Sequence, residues 1–191
     1  MAADGQTVNL PNSITVARIA LAPLFVYLLL ISPDPNSWQH WLATFVFVFA
    51  ISTDGIDGAV ARRTGKVTNL GKILDPIADK ALLGSALVTL SYLGEIDWWI
   101  TILILSREIA VTLYRVMVVK NKVIAAAGSG KLKTVLQGIG VGAVLAPFEV
   151  WVPFWSFVEE GLMLVALAST LISGVHFLWR RSRSEQCRAN S

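Results

Sequence analysis

The sequence predicts an all-α integral membrane protein with six transmembrane helices and both termini in the cytoplasm. Three observations carry that reading: the composition, the placement of Lys and Arg, and the clustering of Trp. Of the 191 residues 54% are hydrophobic and 15% are charged, too apolar a balance for an ordinary soluble domain. Apolar runs fall near 14–32, 41–53, 81–93, 98–119, 135–146 and 154–179. Several are shorter than the roughly 20 residues that cross a bilayer. Their helices must therefore continue into the polar segments that flank them.

The basic residues set the orientation. The segments 32–39, 94–97 and 147–153 contain no Lys or Arg, whereas Arg62, Arg63, Lys66, Lys72, Lys120, Lys122, Lys131, Lys133 and the tail from Arg180 to Arg188 share the opposite side. The positive-inside rule makes that side cytoplasmic. Trp38, Trp41, Trp98, Trp99, Trp151 and Trp155 gather at the external ends, as an interfacial aromatic belt does, and Trp179 marks the other interface. The first span lacks the basic n-region and small-residue cleavage site of a removable signal. The basic tail faces anionic headgroups and is no nucleic-acid arm. Cys187, the single cysteine, reads as an inert surface thiol.

The chain is expected to be one domain over 1–191, without linker, low-complexity stretch or internal repeat. About seven N-terminal and about ten C-terminal residues are expected to be flexible. Pro11-Asn12-Ser13 can open the first helix with Asn12 or Ser13 as its N-cap, and Pro23 kinks that helix.

Chemistry concentrates in two short stretches. Asp54, Asp57, Gly58, Ala61 and Arg62 fall at helical spacing on one stripe, and Gly71, Asp75 and Asp79 on another. A short basic connection between them makes the two helices antiparallel, so the stripes can face each other. Four carboxylates held together repel unless protonated or neutralised by cations. An all-oxygen donor set suits hard divalent ions such as Mg2+ or Mn2+, and the absence of His and Cys from the motif argues against zinc. Gly58, Ala61 and Gly71 leave room for a bulky ligand, and Arg62 offers a fork for phosphate. Two metals, a cleared floor and an arginine suit transfer of a phosphate-linked group by in-line displacement. Gly55, Gly84 and Gly138 read instead as helix-packing glycines.

The run from Asp54 to Asp79 resembles the signature of the CDP-alcohol phosphatidyltransferases, D-x-x-D-G-x-x-A-R-x8-G-x-x-x-D-x-x-x-D, with every position filled. The resemblance implies a six-helix membrane enzyme, usually dimeric, whose site opens to the cytoplasm. Such enzymes pass the phosphatidyl group of a CDP-linked donor to an alcohol and release CMP. It also implies that Asp54, Asp57, Asp75 and Asp79 hold two divalent ions, with Asp79 as general base. Asn12, Thr15, Gly58, Ala61, Arg62, Thr68 and Gly71 would then bind the CDP-diacylglycerol donor.

A second stretch bears on the acceptor. Arg107 and Arg115 share a helical face, and with Lys131 and Lys133 they can form a cationic pocket that faces the acids and binds an acceptor phosphate. Glu108, adjacent to Arg107, is expected on a different face. The segment 106–137, with its R-E-x6-R and G-K-L-K-T-x-x-Q runs, is similar to the phosphatidylglycerophosphate synthase branch of the family. So is the opening Asn9-Leu10-Pro11-Asn12-Ser13-Ile14-Thr15-x-x-Arg18. This implies glycerol 3-phosphate as acceptor, phosphatidylglycerophosphate and CMP as products, and the cell (plasma or inner) membrane as location. Inositol phosphate or phosphatidylglycerol would be the alternative acceptors. A divalent-cation transporter is the reading from another class, disfavoured because the acids lie on one hairpin with no matching second half. His40, His176, Glu149, Glu159 and Glu160 read as structural or solvated.

Overall fold

The computed structural model describes the backbone of residues 10–32, 34–64, 69–119, 129–148 and 151–189, and the side chains of 19–32, 34–53, 80–114, 132–148, 151–177 and 179. Among the described residues there are six helices: α1 (Leu10–Ile31), α2 (Trp38–Thr64), α3 (Asn69–Leu93), α4 (Trp98–Val119), α5 (Ser129–Leu145) and α6 (Trp155–Ala189). Among the described residues there is no strand. The short apolar runs at 41–53 and 81–93 do continue as helix through the polar motif residues. Over Trp155–Phe177, α6 is long and apolar enough by itself to cross a membrane.

One difference from the sequence expectation concerns a helix end: Leu10 is already helical, so Asn12 and Ser13 do not cap α1. α6 runs through the basic segment to Ala189.

The chain divides into two compact units, 1–95 with 145–147, and 96–144 with 148–191. In the first, α1 packs against α2 and α3. Ala22, Phe25 and Leu29 from α1, Ala43, Phe47 and Ala50 from α2, and Leu83, Leu87 and Leu90 from α3 are buried at i, i+3, i+4 spacings. The Phe25 and Phe47 rings lie 5.6 Å apart, a pairing that fits an antiparallel α1–α2 hairpin turning at 32–37. That turn is fixed by Asp34, whose Oδ1 accepts from Asn36 N–H at 2.9 Å. Ser37 caps α2, its Oγ accepting from His40 N–H at 3.2 Å.

α3 ends on Gly94, at φ +84°. Glu95 N–H bonds Leu90 C=O at 2.9 Å and Gly94 N–H reaches Ser91 C=O at 3.3 Å, the paired bonds of a Schellman cap, whose left-handed residue favours glycine. His40 is buried, and its Nε2 donates to the Leu145 carbonyl at 2.9 Å. Thr44 Oγ1 lies 2.8 Å from the same oxygen. His40 thus serves structure, as expected, by satisfying a carbonyl at the C-terminal end of α5.

In the second unit three levels of contact fix the register. Lys133 and Ser173 both meet the Arg107–Glu108 pair. Gln137 meets Thr170, and Gly140 meets Met163 and Ala166. Position thus rises on α5 as it falls on α6, so these helices are antiparallel. α4 and α6 run the same way, since Arg107 meets Ser173 while Tyr114 packs on Phe177 at 5.4 Å. Trp155, expected only as an anchor, also donates from Nε1 to Ala143 C=O at 3.3 Å.

The glycines of α5 are not equivalent. A Cβ at Gly140 would stand 3.1 Å from Met163 Sδ and 3.3 Å from Leu162 O, whereas one at Gly142 would meet nothing within 4 Å. Alanine gains about 1 kcal/mol over glycine in a helix interior, a gain that crowding at Gly140 offsets. Gly142→Ala should therefore be neutral or stabilising, and Gly140→Ala less stable than it by about 1–2 kcal/mol. Thermal unfolding of the two variants in detergent checks this; equal midpoints would contradict it.

Candidate active site

The four motif acids are carried by the α2–α3 hairpin. Asp54 and Asp57 lie in the C-terminal part of α2, Asp75 and Asp79 in the N-terminal part of α3. Asp57 and Asp75 each stand about two turns from the connection, and Asp54 and Asp79 each about three. Their side chains, with those of Gly58, Ala61, Arg62 and Gly71 on the same helices, lie outside the described residues, as does Thr68 altogether. Asn12 and Thr15 sit in the first turns of α1, again with side chains outside the described set. Among residues whose side chains are described, no three His, Cys, Asp or Glu come together as a metal site. The motif itself offers carboxylates, hard oxygen donors of the type that divalent ions take.

The second unit holds a buried polar network whose side chains are fully placed. Glu108 on α4 is 6% exposed and Lys133 on α5 is 8% exposed. The Lys133 ammonium contacts Glu108 Oε1. Arg107 Nη1 donates to the same oxygen at 3.0 Å, and Nη2 donates to Ser173 Oγ on α6 at 2.7 Å. This corrects the expectation for Glu108: although adjacent to Arg107 on the helix, its long side chain folds back onto the guanidinium. The cations from α4 and α5 therefore do not stand free; they share one carboxylate. Arg115 and Lys131 lie on α4 and α5, with side chains outside the described residues.

Such an arrangement follows from desolvation. A buried charge needs a partner, and removing one member of a buried pair leaves the other uncompensated at a cost of about 3–5 kcal/mol. Among the described residues the network brings two cations onto one carboxylate. Below it, Gln137, 2% exposed, donates from Nε2 to Thr170 Oγ1 at 2.7 Å. The Thr170 hydroxyl in turn donates to Ala166 C=O at 2.7 Å. Gly174 adds a steric element, because a Cβ there would lie 3.2 Å from Arg107 Nε. Sequence reasoning missed Glu108, Ser173 and Gly174. A signal existed for Glu108, an acid within an apolar run, since such acids are nearly always paired.

Comparison with known proteins places these features. The family model described as CDP-alcohol phosphatidyltransferase matches residues 8–172, covering α1 to about half of α6 and both candidate stretches. The chain belongs to the CDP-alcohol phosphatidyltransferase family. It is 38% identical over 183 residues to a probable phosphatidylglycerophosphate synthase of Mycobacterium tuberculosis, covering 96% of this chain and 86% of that protein. It is 40% identical over 183 residues to a CDP-diacylglycerol–glycerol-3-phosphate 3-phosphatidyltransferase of Bacillus subtilis, covering 87% and 91% of the two chains. A protein of Shigella flexneri with the same name is 32% identical over 176 residues, covering 89% and 93%. Within this family the acids of α2 and α3 are the signature positions, and the α4–α5 network lies inside the matched span.

Thr170 bridges Gln137 to the α6 backbone, so Thr170→Val should leave a buried amide without its acceptor. We expect a loss of about 1–3 kcal/mol, read as a lower unfolding midpoint in detergent. An unchanged midpoint would show that Gln137 finds another partner.

Proposed function

We propose that the protein transfers the phosphatidyl group of CDP-diacylglycerol to sn-glycerol 3-phosphate, giving phosphatidylglycerophosphate and CMP in phospholipid biosynthesis. The observation that carries this reading is similarity over nearly the whole chain to relatives named for that reaction. The convergence of the Arg107 and Lys133 cations from two helices supports a phosphorylated acceptor over an uncharged one.

The roles divide by chemistry. Asp54, Asp57, Asp75 and Asp79 would hold two divalent ions, Mg2+ or Mn2+. When bound, these ions neutralise the donor's diphosphate and the charge that develops on the leaving CMP. Asp79 takes the proton of the acceptor hydroxyl. The hydroxyl oxygen bonds to the phosphorus that bears diacylglycerol, and the bond from that phosphorus to the bridging oxygen breaks. The electron pair leaves with CMP. Asn12, Thr15, Gly58, Ala61, Arg62, Thr68 and Gly71 receive the donor, and Arg107, Arg115, Lys131 and Lys133 the acceptor phosphate.

The setting we infer is the plasma or inner membrane, with six spans, both termini inside, and the site facing the cytoplasm. Several observations favour it. Tyr27, Phe45, Ile102, Phe157, Ile172 and Val175 are large apolar residues left exposed on their helices, and exposed apolar surface of this kind marks contact with lipid or partner chains. The connections at 32–37 and 94–97 and the described residues between α5 and α6 lack basic residues. Trp38, Trp98, Trp99 and Trp151 are exposed at those same ends. The family resemblance further supports a homodimer and a single domain over 1–191.

The test is to give purified protein CDP-diacylglycerol with each candidate acceptor and to measure CMP release. We expect turnover with glycerol 3-phosphate, none after chelation, and recovery on adding Mg2+ or Mn2+. Turnover only with inositol phosphate or phosphatidylglycerol would overturn the acceptor assignment. Metal flux into liposomes without CMP release would overturn the enzyme reading. Asp79→Asn should lower turnover by about 10²–10⁴-fold while the donor still binds; a near-normal rate would remove Asp79 as the base. Asp54→Asn and Asp75→Asn should lose the dependence of rate on divalent metal.

A further inference from the structure

The acceptor's phosphate, on the reading above, meets two cations that the fold has already fixed in place. We propose that Glu108 and Gly174 are the positioning residues that fix them. Glu108 binds Arg107 and Lys133 to one carboxylate oxygen, and Gly174 provides the space in which the Arg107 side chain rests. The inference rests on the proposed function, because it assigns these residues to the acceptor's phosphate.

Four observations carry it. First, Arg107 and Lys133 come from different helices and converge on the same atom, Glu108 Oε1. Like charges do not approach in a buried place without an anion between them. Second, Arg107 is held from both sides, by Glu108 through Nη1 and by Ser173 Oγ through Nη2. A guanidinium has five N–H donors, so each Nη keeps a further hydrogen for another acceptor. Third, the Arg107 Nε is buried and has no hydrogen-bond partner among the described residues. It lies against the α6 backbone at Gly174, where an added Cβ would stand 3.2 Å from Nε and 3.4 Å from Cγ. Fourth, the α5–α6 register sets Lys133 and Ser173 at one level, so the network closes across all three helices of its unit. A group held this way is preorganised, and preorganised donors lose little freedom when a ligand arrives.

Neither proposed residue touches substrate. Substituting either should therefore weaken acceptor recognition while leaving donor binding and the chemical step in place. Gly174→Ala is the informative variant, because it adds one methyl beside Arg107 and changes no charge. Glu108→Gln keeps the size of the side chain and removes the anion. Gly142→Ala, whose Cβ meets nothing within 4 Å, is the control outside the network.

The experiment measures CMP release from the purified full chain in detergent micelles containing CDP-diacylglycerol, with glycerol 3-phosphate and donor varied separately. We expect Gly174→Ala to raise the acceptor KM by about three- to tenfold, with kcat within about twofold and the donor KM unchanged. Glu108→Gln should raise the acceptor KM by about tenfold or more, and Gly142→Ala should change neither KM. Arg107→Met and Lys133→Met calibrate the site. If these two raise the acceptor KM while Gly174→Ala does not, the positioning role is wrong and the functional reading survives. Should they leave the acceptor KM unchanged or shift only the donor KM, the acceptor assignment falls and the inference falls with it. Loss of folded protein in Glu108→Gln leaves the decision to Gly174→Ala. A Gly174→Ala variant that loses thermal stability with both KM values unchanged would show a structural role only, and would overturn the proposal.

Discussion

A carboxylate shared by two cations in a nearly dry interior is the interaction on which the second unit depends. Glu108, Lys133 and Arg107 reach one another from two helices, and Ser173 ties the group to a third. Apolar packing alone fixes the register of such helices weakly, because a shift of one turn replaces one aliphatic contact with another. A buried ion network does not tolerate the shift, since it would strand a charge. The same register places Gln137 against Thr170 and Gly140 against Met163, so polar satisfaction and close packing reinforce one alignment. What makes the unit specific also sets two cations together where the proposed reaction has an anion to bind.

The first unit follows a different constraint. Here α1 packs against both members of the α2–α3 hairpin through a continuous apolar seam of Phe25, Leu29, Phe47 and Leu87. The acids occupy the parts of α2 and α3 nearest their connection. Helix continuity is the physical requirement. Only an unbroken helix keeps Asp54 with Asp57, and Asp75 with Asp79, at spacings of one turn.

Much of this was legible in the sequence, for reasons that differ by residue. The number of helices followed from the apolar runs. The Asp54–Asp79 pattern was legible because chemistry demands fixed residue types at fixed spacings. Helix ends were less so: the chain is already helical at Leu10, ahead of the expected cap of α1. Glu108 was misread because facing rules use Cβ direction, whereas a glutamate is long enough to turn back onto its neighbour. Ser173 and Gly174 could not be found from sequence, since their importance lies in contact with Arg107, far away in the chain. Gly140 makes the placed close approach on α5, while Gly138, the expected packing glycine, is also buried.

The central claim is that the α4–α5 cations recognise the acceptor through its phosphate. The most direct measurement is the ratio of kcat/KM for glycerol 3-phosphate to that for unphosphorylated glycerol, compared between the native chain and Lys133→Ala. If Lys133 reads the phosphate, the native ratio is large and falls by about tenfold or more in the variant, because only the charged acceptor loses a partner. An equal loss for both acceptors, leaving the ratio unchanged, would contradict the account.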